Sequence, residues 1–254
     1  MLVDADDAVW ETVSHDGSIA LPDGETMPAV VTSFTSSGAI GAFFVMSTPT
    51  VWRDAGVSGG ALDLETLMVA VLLHEASHVV QLSTYGLRVD DIQRRFGLPD
   101  SFGDDSLQER FEQEQAFTRS IARETDLFFE AAFAEDDDTA WRLAYEAREL
   151  MRARAARWFI GEETYWREAE DVWLTFEGSG QWIGYHWLTS PWGADVTPAA
   201  AMEGFGRRSR WWSQNQGLSI ALTLDRLSGP VWRRQAFGEG RLTLLEMLDE
   251  LLAR

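Results

Sequence analysis

Residues 62–82 read Leu62-Asp-Leu-Glu-Thr-Leu-Met-Val-Ala-Val-Leu-Leu-His74-Glu75-Ala-Ser-His78-Val-Val-Gln-Leu82, and this stretch decides the fold prediction. Apolar residues occupy 13 of these 21 positions, including the unbroken run Leu67–Leu73, whereas a surface helix carries them on one side only. The stretch therefore predicts a helix that is buried in the protein core. It also contains two histidines and a glutamate, which are costly to bury without partners.

The chain has a helical pattern from Gly59-Gly60 almost to its end. Amphipathic helices are predicted where apolar residues recur at helical spacing, and Ser190-Pro191 ends one of them. Beyond the first helix, the predicted helices cover residues 104–135, 137–160, 162–189, 197–212, 218–227 and 242–252.

The residues before the first helix are predicted to contain strands. Residues 1–26 are polar and rich in turn formers, and two apolar β-type stretches follow at Pro28–Phe34 and Ala39–Met46. The intervening Thr35-Ser-Ser-Gly38 is predicted to be the turn of a hairpin.

No internal repeat and no low-complexity linker divides the chain. We therefore expect a single domain over residues 1–254, with a β-rich part at 1–60 and a helical part at 61–254. The predicted fold class is mainly α with a small N-terminal antiparallel β-sheet (α+β).

The composition excludes several kinds of chemistry. The chain has no Cys and therefore no disulfide, no thiolate nucleophile and no Cys metal ligand. All 21 basic residues are Arg, which excludes reactions that need a lysine amine. The formal charge of −20 disfavours binding to a nucleic acid or an anionic membrane. The chemistry must use the four histidines, carboxylates, hydroxyls or a bound ion.

No targeting segment is predicted. The first fifty residues contain seven acidic residues and no Lys or Arg, so the positive region of a signal peptide is missing. The longest apolar run, Leu67–Leu73, is too short to span a bilayer. We expect a cytoplasmic protein with neither a nucleic acid nor a membrane as its partner.

His74-Glu75-Ala-Ser-His78 is a His-Glu-x-x-His motif inside the predicted buried helix. Residues four apart on a helix lie about 40° apart around its axis, so both imidazoles project from one face. Two such imidazoles can bind one zinc ion, which is also the partner that these buried side chains need. Glu75 lies beside them, where it can take a proton from a water molecule activated by the metal.

A catalytic zinc site needs a third protein ligand. The Gly and the third His of the metzincin motif are missing, because Gln81 and Thr84 occupy their positions. We expect the ligand to be Glu177, which lies in a helical stretch among large aromatic residues. Gly178 and Gly180 follow it at a cost of about 1 kcal/mol each in helix stability, which predicts close approach of another helix.

Glu124 and Glu130 are the alternative candidates for the third ligand. Glu124 is expected instead to be the buried partner of Arg154 or Arg157, because an unpaired carboxylate on an apolar helix is costly. The alternative to a ligand role for Glu177 is a solvated position on the protein surface.

These motifs resemble those of the gluzincin zinc metallopeptidases. The ligand helix of the zinc aminopeptidases in that clan reads Asp-Leu-Trp-Leu-Asn-Glu-Gly-x-Ala, and Asp171-Val-Trp-Leu174 with Glu177-Gly178 is similar, with one extra residue between. The chain looks still closer to uncharacterised bacterial metallopeptidase-like proteins with His-Glu-x-x-His-x-x-Gln. The resemblance covers roughly residues 40–250, and the further matching positions are Gln81, Glu124, Arg154, Arg157 and Glu170.

The resemblance implies a zincin-like core with one Zn²⁺ per chain, held by His74, His78 and Glu177. It also implies a Tyr or His that donates a hydrogen bond to the tetrahedral intermediate. Tyr185 is the better candidate, because His186 faces away from Glu177 on an unbroken helix.

Four further expectations concern the surroundings of this site. Glu170, two turns before Glu177, is expected either to orient a ligand imidazole or to form a surface salt bridge. The strand Ala42–Met46 is either a core strand or the edge strand that binds extended peptides in this family. Trp211–Gly217 combines aromatic and amide side chains in a way that suits a cleft wall. Tyr165 is another candidate hydrogen-bond donor.

The sequence therefore predicts a zinc-dependent hydrolase, in the first place a metallopeptidase that acts on a peptide or protein substrate. Glu75 is predicted to be the general base, which passes the proton of the attacking water to the leaving amine. One alternative is a non-catalytic helical protein with a structural ion, whose Trp-rich helices bind a partner. The other is a zinc amidohydrolase that acts on a small non-peptide amide.

Overall fold

The structure, a computed structural model, describes residues 2–3, 10–11, 15–39, 41–206 and 210–253. In this part of the chain, short antiparallel strand pairs precede a long series of helices. The predicted mainly helical α+β fold class is therefore confirmed.

The strands form separate two-stranded antiparallel pairs in place of the single small sheet predicted. The middle pair lies partly in the region predicted to be a polar lead-in. The pairs are β1 (Leu2–Val3) with β2 (Trp10–Glu11), β3 (Ser18–Ala20) with β4 (Thr26–Pro28), and β5 (Ser33–Gly38) with β6 (Gly41–Met46).

The hairpin turn predicted at Thr35-Ser-Ser-Gly38 is wrong, because these four residues belong to β5. Gly38 pairs with Gly41, and the turn includes Ala39, while Ile40 lies outside the described residues. The β-branched Thr35 suits a strand, and its hydroxyl makes a tertiary hydrogen bond with Glu75. These two effects outweigh the turn tendency of the Ser-Ser-Gly sequence.

The α-helices of the described residues follow the strands without a further strand between them. The π-helical turn Leu82–Gly86 joins the second helix to the third, and the 3₁₀ turn Gly161–Tyr165 leads into the seventh. The helices are α1 (Pro49–Asp54), α2 (Leu64–Gln81), α3 (Leu87–Phe96), α4 (Ser106–Phe111), α5 (Gln115–Ala132), α6 (Asp137–Trp158), α7 (Trp166–Thr189), α8 (Pro198–Gly204), α9 (Trp212–Ser228) and α10 (Leu244–Leu252).

Two predicted helices differ from the structure by more than their ends. The helix predicted at 104–135 is broken near Glu114, whose backbone is extended, and this break allows Phe111 and Phe117 to stack with ring centroids 4.4 Å apart. Within the helix predicted at 197–212, the structure has the shorter helix α8, which ends at Gly204. Residues 207–209 lie outside the described residues.

Helix α7 packs against both α2 and α9. A Cβ atom on Gly178 would lie 2.5 Å from the backbone of Gly217 on α9, and one on Gly180 would lie 2.8 Å from His74 on α2. Real Cβ atoms do not approach other atoms so closely, so glycine is needed at both positions. The close helix approach predicted from these two glycines is confirmed.

Among the described residues, the helical stretch Leu64–Phe96 is long and apolar enough to cross a membrane by length and composition alone. It is longer than the apolar run Leu67–Leu73 because the helix continues through the π-helical turn into α3. Of its most apolar part, 44% is buried inside the structure. The stretch also contains the buried His74 and His78, which face α7.

Candidate metal centre

Helices α2 and α7 bring together His74, His78 and Glu177, all three of which are buried. The Nε2 atoms of the two histidines are 2.8 Å apart. The carboxylate of Glu177 faces both of them, with Oε2 3.4 Å from Nε2 of His74 and Oε1 3.3 Å from Nε2 of His78. This group could hold a metal ion.

The local structure explains why these three side chains converge. His74 and His78 are one turn apart on α2, so their rings project from the same face and meet edge to face at 4.4 Å. Glu177 faces them from α7, and Gly180 on the same helix leaves room for both rings. The residue that the sequence predicts as the third ligand, Glu177, therefore faces both histidines.

The charges of this group are strongly coupled. Burial alone would raise the pKa of Glu177, but the neighbouring charges of His78 and His74 hold it below its ordinary value. Burial alone would lower the pKa of His78, and the carboxylate of Glu177 raises it above its ordinary value instead. An ionised carboxylate against two imidazoles is a donor set that suits a divalent cation.

The two histidines differ in what their second ring nitrogen contacts. Nδ1 of His78 lies 3.0 Å from Oε1 of Gln81, the residue three positions later on α2. Nδ1 of His74 is buried without a hydrogen-bond partner among the described residues. No role for Gln81 is predicted from the sequence, although its i, i+3 spacing from His78 places it on the same face of the helix.

Glu75 is held by a contact that the sequence analysis did not anticipate. Oγ1 of Thr35 on β5 lies 2.9 Å from Oε2 of Glu75 and 2.9 Å from its backbone carbonyl oxygen. The hydroxyl can donate its single proton to either acceptor. No local sequence signal could reveal this contact, because the two residues are 40 positions apart.

His74 and Glu75 form part of the wall of an open cleft of about 650 Å³. The other walls come from β5, α1, the loop before α2, α7, α8 and the start of α9. Gln181 of α7 also lines the cleft, and its Oε1 atom has no hydrogen-bond partner among the described residues. The cleft is large enough for part of a peptide or for a small organic molecule.

The segment Trp211–Gly217 contributes to this cleft only in part. Trp211 and Gln214 line it, as expected from their amphipathic and amide side chains. Gln216 is buried and donates a hydrogen bond to Glu124 instead. Among the lining residues, the hairpin is represented by Ser33 of β5 and not by the strand Ala42–Met46.

Two acidic residues before α4 lie close enough to the triad of His74, His78 and Glu177 to interact with its charge. Burial raises the pKa of Asp104 to about 7 and that of Asp105 to about 6. The charge of Glu177 adds to the rise in both. These carboxyl groups were not anticipated from the sequence, since they lie 72 or more positions before Glu177 and meet it only in the fold.

The alternative third ligands lie elsewhere. Glu124 is fully buried and forms a bidentate ion pair with Arg154, with Nε donating to Oε1 and Nη2 to Oε2, each at 2.9 Å, so the predicted pairing is confirmed for Arg154. Glu130 is half exposed and faces Arg123. Neither is part of the triad.

Glu170 has neither of the roles predicted for it. It is buried and pairs with Arg154 at 2.8 Å, so it is not in a surface salt bridge and makes no hydrogen bond with the ligand histidines. Glu170 lies two helical turns before Glu177 on α7. Glu177 faces the histidines of α2, whereas Glu170 faces Arg154 of α6. Gln81, on α2 itself, contacts the imidazole of His78 instead.

The predicted hydrogen-bond donors lie outside the triad. Tyr185 is buried in the hydrophobic core and is not among the cleft-lining residues that the structure describes, so its catalytic role remains a prediction. Tyr165 packs against Phe102 and Trp166. His186 stacks on Trp182, which agrees with its predicted orientation away from Glu177.

Two imidazole nitrogens and one carboxylate, convergent and buried beside a cleft, fit a divalent metal ion of the type that prefers nitrogen and oxygen ligands. No protein-family model, no curated protein and no solved structure matches the chain.

Proposed function

We propose that the protein is a zinc-dependent hydrolase with a zincin-like core, a metallopeptidase of gluzincin type. The observation that carries the proposal is the convergence of His74, His78 and Glu177 in a buried group at the edge of a cleft. Two histidines and a glutamate are a ligand set of catalytic zinc sites, which keep one coordination position for water or substrate.

The residues of the site have different roles in this proposal. His74, His78 and Glu177 would hold the ion, which when bound would lower the pKa of a water molecule and polarise a carbonyl group. Glu75 lines the cleft, where it accepts the proton of the attacking water and returns it to the leaving amine. Thr35 holds the carboxylate of Glu75 through its hydroxyl. Gln181 presents a buried amide that can hydrogen-bond to a polar group of the substrate.

The cleft supports an enzyme more than a structural ion. A structural site is normally closed by four protein ligands, whereas the described residues supply three convergent donors. His74 and Glu75 also face an open cleft, which a purely structural ion does not need. A small non-peptide amide would fit the same cleft, so peptides and small amides are both tested as substrates.

The decisive experiment separates metal binding from hydrolysis. The zinc-loaded wild type should cleave members of a quenched-fluorescence peptide library, and Glu75→Gln should retain its zinc while losing at least a hundredfold in rate. Glu130→Gln is the matched control, because it makes the same chemical change on an exposed side chain and should leave the rate unchanged.

Two results would contradict the proposal. Hydrolysis by Glu75→Gln at the wild-type rate would remove Glu75 from its role as the base. A wild type that binds zinc but cleaves neither the peptide library nor small amides would favour a structural ion.

A further inference from the structure

Gln81 has a buried side chain with a partner on each of its polar atoms. Its Oε1 atom lies 3.0 Å from Nδ1 of His78. Its Nε2 atom donates hydrogen bonds to Oγ of Ser179 on α7, at 2.5 Å, and to the backbone carbonyl oxygen of Ala236, at 3.0 Å. The side chain therefore connects α2, α7 and the C-terminal part of the chain at the metal group.

These partners allow only one orientation of the Gln81 amide. A backbone carbonyl oxygen can only accept, so the atom facing Ala236 must be the amide nitrogen. Ser179 agrees with this orientation, because its hydroxyl lies 2.6 Å from the carbonyl oxygen of Thr175 and can donate its proton there. Its oxygen is then free to accept from Gln81. The carbonyl oxygen of Gln81 must therefore face His78.

The orientation of the amide determines where His78 carries its proton. Oε1 of Gln81 can only accept, so Nδ1 of His78 must be the donor in the 3.0 Å contact. In the neutral imidazole, Nε2 is then unprotonated. This Nε2 atom is the one that faces Glu177 and His74.

We propose that Gln81 is the positioning residue of the metal centre, which fixes His78 in the tautomer whose Nε2 lone pair is available to a divalent cation. Ligand histidines usually donate their second nitrogen to a carboxylate, a carbonyl group or water. Here the acceptor is a neutral side-chain amide, which is itself oriented by Ala236 and Ser179. The proposal rests on the metal-binding part of the proposed function and is independent of the substrate.

Two variants test the proposal through the acceptor atom. Gln81→Leu removes the acceptor and should weaken zinc binding about 10–100-fold, because removal of such partners usually has an effect of this size. Gln81→Glu keeps an acceptor for His78 but loses the donor to Ala236. It should hold the same tautomer and bind zinc within about tenfold of wild type, with a lower unfolding midpoint.

The first measurement uses the metal-free protein and needs no activity. Long-range ¹⁵N–¹H correlation spectra of the ¹⁵N-histidine-labelled chain, recorded where His78 is neutral, report which ring nitrogen carries the proton. Wild type and Gln81→Glu should show His78 protonated at Nδ1, and Gln81→Leu should show an increased Nε2–H population. Zinc affinity is then measured by competition with a chromophoric chelator.

The outcomes separate this proposal from the proposed function. Wild-type His78 protonated at Nε2, or a Gln81→Leu variant with unchanged tautomer and affinity, would overturn the role of Gln81 while the zinc site stands. A wild type with the Nδ1–H tautomer that does not bind zinc would overturn the metal centre instead. If Gln81→Leu does not fold, the wild-type and Gln81→Glu spectra still decide the question.

Discussion

The backbone of Gly180 lies directly against the imidazole ring of His74. A Cβ atom at position 180 would lie 2.8 Å from Nδ1 of His74 and 3.0 Å from Cε1 of both His74 and His78. Because position 180 of α7 has no side chain, both imidazole rings of α2 have room for their observed positions. This relationship links a helix–helix contact to the geometry of the metal group.

The Gly180→Ala variant should weaken zinc binding by at least tenfold. The added methyl group must displace one or both rings, and misplaced ligands bind less tightly. Zinc affinity from chelator competition checks this prediction. Gly103→Ala is the matched control, since its nearest neighbour would be 4.0 Å away, and it should bind zinc as wild type does. Equal affinities of the two variants would contradict the prediction.

The Glu124→Ala variant should lower stability without loss of the metal. Removal of one partner from a buried ion pair costs about 3–5 kcal/mol, and the lower end is expected because Glu170 still faces Arg154. In a chain of this length, a loss of about 3 kcal/mol corresponds to a fall in Tm of roughly 6–12 °C.

The same change at an exposed ion pair is the control for this prediction. Glu146 is about half exposed and faces Arg123 and Arg142, so Glu146→Ala should change stability by less than about 1 kcal/mol. Thermal unfolding and zinc content are measured for both variants. Loss of zinc from Glu124→Ala would show that Glu124, and not only Glu177, serves the ion.

Asp171 should make the protein less stable as the pH rises. Burial raises its pKa to about 7, a hydrogen bond from Thr243 opposes the rise, and the charge of Glu246 adds to it. Between about pH 4 and pH 7 the unfolded chain has lost this proton while the native protein keeps it. This contribution to stability is complete at low pH and is lost as the pH passes through 7.

The Asp171→Asn variant should remove this pH-dependent contribution. Urea unfolding with a chelator present should show that the variant gains stability relative to wild type from pH 5 to pH 8. The exposed Asp90→Asn change should produce no such trend. A constant difference between Asp171→Asn and wild type over this range would show that Asp171 does not titrate with the raised pKa.

The sequence contained most of the information for the ligand set. His-Glu-x-x-His has a fixed helical geometry, so the convergence of His74 and His78 follows from their spacing alone. Gly178 and Gly180 marked α7 as the partner helix, because two glycines beside large aromatic residues are poorly explained by helix propensity. Glu177 is therefore preferred over Glu124 as the third ligand, and the structure places Glu177 at the two histidines.

The surroundings of the ligands were harder to predict, because they depend on contacts between distant segments. Thr35 reaches Glu75 across 40 residues, and Gln81 meets Ala236 across 155. The roles predicted for Glu170 are wrong because helical spacing predicts the direction of its side chain on α7, but not which helix packs against that side of α7. The hairpin turn was misplaced for a related reason, since Thr35 is held in β5 partly by its tertiary bond.

The metal content of the purified protein is the measurement that tests the central claim most directly. Protein prepared without chelator and reconstituted with zinc should contain about one zinc per chain. The zinc should be lost in His74→Ala and His78→Ala and strongly reduced in Glu177→Ala, with the fold retained. The exposed His15→Ala and Glu130→Ala changes should leave it in place. A wild type that holds no divalent metal after reconstitution, or a Glu177→Ala variant with full zinc content and unchanged affinity, would contradict the account.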